Sequence, residues 1–297
     1  MSKSNAAVRL PRAKGIDMAT YYTPKECARK AKHIVLPTHN RKIVEEFIAI
    51  LGMKEKFARF EVPVPNKIMM YGPPGTGKTL TAYHIAERLA LPLIVVRLDA
   101  IIHSHLGETG SNVRKIFEHA HASPCVLFLD EFDALARTRD NNDEVKEMAR
   151  VVNTLLQCLD AFDGDSVLMA ATNLETELDQ AVWRRFDTKM SYRMPDERTR
   201  AEYIGQLLGG FAQEDGVGQN ASELLSGCSY ADMEQILLKA KRKAIIEDRL
   251  LHDSHVKDSY AEYKPDRDEV ATREEASAAC GKVGGRMKNG IRRVNLS

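Results

Sequence analysis

The chain has 297 residues, with 43 basic against 42 acidic side chains and 43% hydrophobic residues. This balance excludes a collagen-like, fibrous or highly charged disordered protein and leaves room for one large or two modest domains. No apolar run reaches the roughly eighteen residues of a membrane helix, and the N-terminus has no apolar signal core, so a cytosolic protein without membrane contact is expected.

In chain order, the first segment, 1–33, reads as a flexible arm: Lys3, Arg9, Arg12 and Lys14 stand among the first residues with no acid, and Pro11 and Gly15 interrupt any helical period. A helix over His39–Leu51 follows, with Ile43, Val44, Phe47, Ile48 and Leu51 on one side. The apolar run Ile68–Tyr71 predicts a strand, and Gly72-Pro73-Pro74-Gly75-Thr76-Gly77-Lys78-Thr79 comes directly after it. This is the phosphate-binding pattern G-x-x-x-x-G-K-[ST]. Its small residues let backbone N–H groups turn around phosphates, its lysine reaches the β and γ oxygens, and its hydroxyl residue serves Mg²⁺. Leu80 opens a helical stretch, which completes the strand, loop and helix that the motif requires.

Further strands are predicted at Leu93–Leu98, Cys125–Asp130 and Val167–Thr172, with a weaker one at Lys189–Tyr192. Helical stretches separate them. One runs from about Asp143 to Leu159, and its stripe of Met148, Val151, Val152, Leu155, Leu156 and Leu159 is core. The alternation implies a mostly parallel sheet covered on both faces. After Pro195 the strand signal stops. A helix over about Asp196–Leu208, a glycine-rich loop over Gly209–Asn220, and a last helix from Ser229 to about Leu251, opened by the capping pattern Ser229-x-x-Asp232, predict an all-helical second unit. From Asp253 the chain turns polar, and after Glu275 it is basic without any acid, which reads as a disordered tail.

The acidic pair Asp130-Glu131 closes the third strand. Phosphoryl transfer assigns Asp130 to Mg²⁺, alongside Thr79, and Glu131 to the attacking water. Asn173, at the end of the fourth strand, is placed to hold the water or the γ-phosphate, although asparagine there also forms turns. The cysteines, Cys27, Cys125, Cys158, Cys228 and Cys280, are far apart and predict buried thiols, not a disulfide framework or zinc site.

The phosphate loop, the strand Leu127-Phe128-Leu129-Asp130-Glu131-Phe132-Asp133, the strand end Ala170-Ala171-Thr172-Asn173, and Leu178-Asp179-Gln180-Ala181-Val182-Trp183-Arg184-Arg185-Phe186-Asp187 resemble the AAA family of ATPases in order and spacing. The similarity is to the branch that includes katanin, spastin and the membrane-anchored bacterial AAA proteases, and it covers roughly residues 34–250. It implies a P-loop α/β large subdomain over 34–194 and a helical lid over 195–252, and leaves the basic tail over 253–297 outside it. It also implies a homohexameric ring that hydrolyses ATP with Mg²⁺ and moves pore loops against a protein substrate.

Several site residues rest on that resemblance. Two arginines of the family reach into the neighbour's ATP site, and they fall on Arg184 and Arg185, without the two residues that separate them in the family. Both remain candidates. Gly227-Cys228-Ser229-Tyr230-Ala231-Asp232 resembles the segment whose backbone lies against adenine, near Tyr230 and Ala231, with tyrosine in place of a glycine. Ile34 and Val35 lie where the family's linker passes the base. His105 and Leu106 stand at the pore position, histidine replacing the usual aromatic, with an unperturbed pKa of about 6.5. The leading expectation is an ATP-driven protein remodeller. A nucleic-acid motor or loader, using the basic tail, and a nucleotide-gated switch are the alternatives. No HExxH occurs, so any peptidase, like any adaptor, would be a separate subunit.

Overall fold

A computed structural model describes residues 12–13, 16–17, 19–98, 109–135, 142–174 and 178–263. They fall into two compact units, one reaching to Gly209 together with Ser226–Met233, the other made of Gly210–Leu225 and the chain from Glu234.

The first unit is built on a six-stranded sheet. A short hairpin of β1 (Arg12–Ala13) and β2 (Ile16–Asp17) precedes β3 (Ala19–Tyr22), and the remaining strands are β4 (Lys67–Tyr71), β5 (Leu93–Arg97), β6 (Val126–Asp130), β7 (Val167–Thr172) and β8 (Thr188–Ser191). The spatial order is β3-β5-β6-β7-β4-β8, parallel throughout except for β3, which runs antiparallel to β5 with Ala19 opposite Val96 and Tyr22 opposite Leu93. The parallel strands are near-continuous apolar runs because both faces are covered. Met69, Ile94, Leu127, Leu129 and Ala170 pack under α5 (Thr109–Ala122) and α6 (Asn142–Asp160). Ile68, Met70, Phe128 and Met169 pack on the other side under α1 (Pro24–Lys30), α2 (Thr38–Gly52) and α4 (Lys78–Arg88). The short α3 (Lys54–Arg59) follows α2 and has no buried residue.

The sequence reading expects a flexible arm up to residue 33, and the structure differs over its second half. Thr23 caps α1 in a reciprocal capping box with Glu26, Pro24 sits in the first turn, and Cys27 is fully buried. Local capping and one buried face hold a helix of only seven residues, which is too short to show a period in sequence.

Next come α7 (Gln180–Trp183), capped by Asp179, and α8 (Glu197–Leu208), capped by Asp196 through the Thr199 amide at 2.8 Å. The capping box expected at Ser229 forms: its backbone N–H donates to the Asp232 carboxylate at 2.9 Å, and the Asp232 N–H donates to the Ser229 hydroxyl at 3.2 Å. That box opens α10 (Tyr230–Ile246).

In the second unit, α9 (Val217–Leu224) begins at Gly216, whose φ of +86° supplies the left-handed corner, within a stretch expected to be loop. A further helix, α11 (Asp253–Tyr263), lies where a disordered tail is expected; it buries His255, Val256 and Ser259. Its sequence hides this because the buried face is half polar, with His255 donors and acceptors satisfied by the His252 backbone N–H at 3.0 Å and the Glu247 carboxylate at 3.1 Å. Glu262 ties α11 to α10 through Lys239 and Lys243 at 2.5 and 2.7 Å. No helix among the described residues is long and apolar enough to cross a membrane.

Candidate active site

The strand order sets β6, β7 and β4 side by side, and because all three are parallel their C-terminal ends open on one edge. Such an edge, where helices begin, is where an open α/β sheet binds ligands. Asp130 ends β6, Asn173 follows β7, and the loop 72–79 follows β4.

The loop turns on glycines. Gly75 has a φ of +72°, and a Cβ there would lie 2.5 Å from the Ser229 hydroxyl and 3.1 Å from the Ala231 Cβ. Gly77 has a φ of +97° and caps α4, and a Cβ there would meet no atom within 4 Å, so the cradle is open at the helix start. The Thr76 hydroxyl donates to the Pro73 carbonyl at 2.7 Å and holds the loop's curve. Pro73 is half-buried, Pro74 is exposed at the loop's outer side, and Leu80 packs against the core beneath the loop. Below α4 the Tyr192 hydroxyl donates to Thr81 at 2.7 Å, and a side chain at Gly72 would collide with the Tyr192 carbonyl.

Lys78 folds into this cradle, donating to the Gly72 and Pro73 carbonyls at 2.7 and 2.8 Å. Burial pushes its ammonium down to about 8, against the opposing pull of Asp130 and Asp133. The Thr79 hydroxyl donates to the Asp130 carboxylate at 3.3 Å, and the Glu131 N–H donates to its other oxygen at 3.0 Å. Burial raises the Asp130 carboxyl above the usual carboxylate value, while these donors, Lys78 and Arg97 pull it back. Glu131 is exposed and has a φ of +54°, a left-handed conformation that costs a non-glycine residue roughly 1–2 kcal/mol. That corner turns the chain sharply at the end of β6, the kind of strain retained where a side chain must be aimed.

Asn173 is exposed beyond β7, its backbone N–H donating to the Asp133 carboxylate at 3.4 Å. Asp133 stands three residues after Asp130 in the same acidic run, and the sequence reading gave it no role. The two arginines separate sharply. Arg185 pairs in two-pronged fashion with Asp160 at 2.7 and 2.8 Å and also donates to the Ala181 carbonyl at 2.6 Å. Arg184 is exposed, and no side-chain partner is found for it among the described residues.

The Ser229–Ala231 corner meets the loop: the Ala231 N–H donates to the Gly75 carbonyl at 3.3 Å. Tyr230 points elsewhere, buried with its ring edge-on to Tyr203 at 4.8 Å. Tyrosine thus occupies the family's glycine position without filling the space beside the loop. Ile34 is half-buried and Val35 buried, both in the segment between α1 and α2. His105 and Leu106 lie outside the described residues. No group of three or more metal-ligating His, Cys, Asp or Glu occurs among the described residues.

Residues 68–194 match the family model described as the ATPase family associated with various cellular activities. The chain is 41% identical over 223 residues to an uncharacterized AAA family ATPase, y4kL, of Sinorhizobium fredii, a match covering 72% of this chain and 67% of the relative. It is 33% identical to the 26S proteasome regulatory subunit S10B homolog B of Arabidopsis thaliana, over 73% of this chain and 57% of that one. It is 30% identical to the ATP-dependent zinc metalloprotease FtsH of Lancefieldella parvula, over 69% of this chain and 33% of that protein. With the phosphate loop, acid pair and strand-end asparagine gathered at one sheet edge and these similarities on either side of it, the chain belongs to the AAA family of ATPases.

Proposed function

We propose that this ATPase works as a ring of identical subunits, six by the family's pattern, that spends ATP hydrolysis on unfolding or disassembling a protein partner in the cytosol. The observation that carries the hydrolytic half is the Thr79 to Asp130 contact at 3.3 Å, which brings the phosphate loop and the acidic strand end into one site. The remodelling half is supported by relatives whose names are a proteasome regulatory subunit and an ATP-dependent protease.

In this reading Lys78 leaves the Gly72 and Pro73 carbonyls and turns its charge to the β and γ phosphates, while the loop's N–H groups and the start of α4 take the remaining oxygens. The Thr79 hydroxyl and Asp130 carboxylate are hard oxygen donors, a fit for Mg²⁺, and they would hold it. When bound, the ion supplies charge neutralisation across the β and γ phosphates. Glu131, exposed at the end of β6, orients the attacking water and draws its proton, and Asn173 supplies an amide to the same space. The backbone of Tyr230 and Ala231 borders the adenine, with Ile34 and Val35 on the linker side. Arg184, exposed and without a side-chain partner among the described residues, reaches a neighbouring subunit's γ-phosphate; Arg185 is committed to Asp160 within its own chain. His105 and Leu106 grip the threaded polypeptide.

The deciding measurement is ATP turnover with an unfolded protein and with DNA as separate additions. Acceleration by unfolded protein is expected. Acceleration by DNA alone would move the assignment to a nucleic-acid motor, and indifference to both, with partner release on hydrolysis, to a switch. Glu131→Gln is expected to bind ATP, lose turnover and hold its client; a variant that still hydrolyses would remove Glu131 from the chemistry.

A further inference from the structure

The end of β6 continues into a turn of 3₁₀ helix (Phe132–Leu135) that joins two functional positions. Phe132 is fully buried and packs edge-on to Phe186 at 6.1 Å, which pins the turn immediately after Glu131. Asp133, only 3% exposed, turns its carboxylate toward the neighbouring strand. There it accepts from the Thr172 hydroxyl at 3.5 Å and from the Asn173 backbone N–H at 3.4 Å. Thr172 is itself 1% exposed, and its oxygen accepts from the Leu174 N–H at 3.1 Å, so its single proton is free to go to Asp133.

A buried carboxylate is costly to desolvate, and an apolar side chain would pack this turn at less expense. What the carboxylate achieves is a link between strand ends: the turn that aims Glu131 is tied, through Asp133, to the peptide that carries Asn173 and to the threonine before it. We propose that Asp133 is a positioning residue for ATP hydrolysis, holding Glu131 and Asn173 at a fixed separation through its bonds to Thr172 and the Asn173 N–H. The proposal rests on the hydrolytic reading above, in which Glu131 and Asn173 act on the same water. Asp133 touches neither water nor phosphate in this scheme; it sets the spacing of the groups that do.

The roles of charge and hydrogen bonding can be separated with conservative variants of the full chain, read by steady-state turnover, ATP affinity from a fluorescent nucleotide, and thermal melting. Asp133→Ala is expected to lower kcat by roughly 10- to 100-fold, the size of effect that follows small misplacements of reacting groups, with ATP affinity kept within about twofold. Asp133→Asn keeps an accepting oxygen and should recover most of that loss. Thr172→Val should lose part of kcat, and Thr172→Ser should restore it. Native kcat in Asp133→Ala, an Asp133→Asn variant as impaired as the alanine, or turnover and affinity falling together would overturn the proposal. Should Asp133→Ala fail to fold, the contrast between Thr172→Val and Thr172→Ser decides on the same terms. Glu131→Gln is the control: turnover surviving there counts against the hydrolytic reading, whereas a dead Glu131→Gln beside a native Asp133→Ala counts against Asp133 alone.

Discussion

The guanidinium of Arg185 meets the carboxylate of Asp160 edge to edge, two nitrogens on two oxygens at 2.7 and 2.8 Å, while its neighbour Arg184 stands exposed. The pair is the strong, geometrically specific form of an arginine–carboxylate contact, and it holds the Asp160 carboxyl below the usual carboxylate range.

The two arginines should therefore fail differently. Arg184→Ala is expected to lose about 10³-fold or more in turnover with ATP binding retained, as for an arginine supplied in trans. Arg185→Ala should resemble Asp160→Ala, with a lowered melting temperature and milder loss of turnover, and the double variant should be no worse than either single one. Turnover abolished by Arg185→Ala but untouched by Asp160→Ala would reverse the assignment.

Lys78 gives the site a pH dependence with a definite sign. Burial brings its free-state value down to about 8, and phosphates favour the charged form. Below that pH the lysine is already protonated and binding needs no proton. Above it, nucleotide must bring a proton with it, so affinity is expected to fall as pH rises past about 8. Calorimetry in two buffers of different ionisation heat should register proton uptake near pH 9 and none near pH 6; equal apparent heats at both would remove the effect.

Gly75→Ala probes the approach of the Ser229–Ala231 corner to the loop. The new methyl would lie 2.5 Å from the Ser229 hydroxyl, on a backbone whose φ is +72°. Nucleotide affinity is expected to drop at least ~10-fold, equivalent to about 1.4 kcal/mol. Adding Ser229→Ala should recover only part, since the backbone remains strained. Unchanged affinity in Gly75→Ala would mean that the corner yields easily.

In the second unit, Lys239 and Lys243 hold the Glu262 carboxyl down to about 2. A depressed carboxylate adds stability that is fully present above its unfolded value, near 4.5, and is lost as pH falls toward about 2. Hydrogen exchange of α11 amides should accelerate over that interval, and Glu262→Gln should exchange faster at neutral pH and lose the acid step. The same pH response in both proteins would assign it elsewhere.

Much of this architecture was readable from one chain. The runs around Met69, Ile94, Phe128 and Met169 announced buried strands because a parallel sheet covered on both faces leaves no polar alternation to confuse with a helix. The neighbourhood of Lys78, Thr79, Asp130 and Asn173 was legible for a related reason: Asp130 ends β6, Asn173 follows β7, Lys78 and Thr79 open the helix reached by the loop after β4, and parallel neighbours bring such ends together. Partnerships that span the sequence were not legible. Nothing in the order of residues ties Arg185 to Asp160, Asp133 to Asn173, or Gly75 to Ala231, since each depends on where separate elements come to rest. Tyr230 is a further case, because the sequence placed only its backbone near the base and gave no sign that its ring packs on Tyr203. Cys27 and His255 mark the elements that were missed, one in a helix too short for a period and the other on a buried face too polar to count as apolar.

The antiparallel strand at Ala19–Tyr22 has a practical meaning for anyone handling the protein. It occupies the outer hydrogen-bonding side of β5, which would otherwise offer a bare ladder to any passing strand. The exposed edge on that side of the six-stranded sheet is then the four-residue β3, with β8 at the other side. A fragment trimmed to the family match, 68–194, would strip that cover together with Cys27, Ala31, Val44 and Phe47 from the opposite face of the core. Such a fragment would keep every phosphate-loop residue and still be prone to aggregate, so aggregation of the trimmed fragment would say nothing about the ATP site.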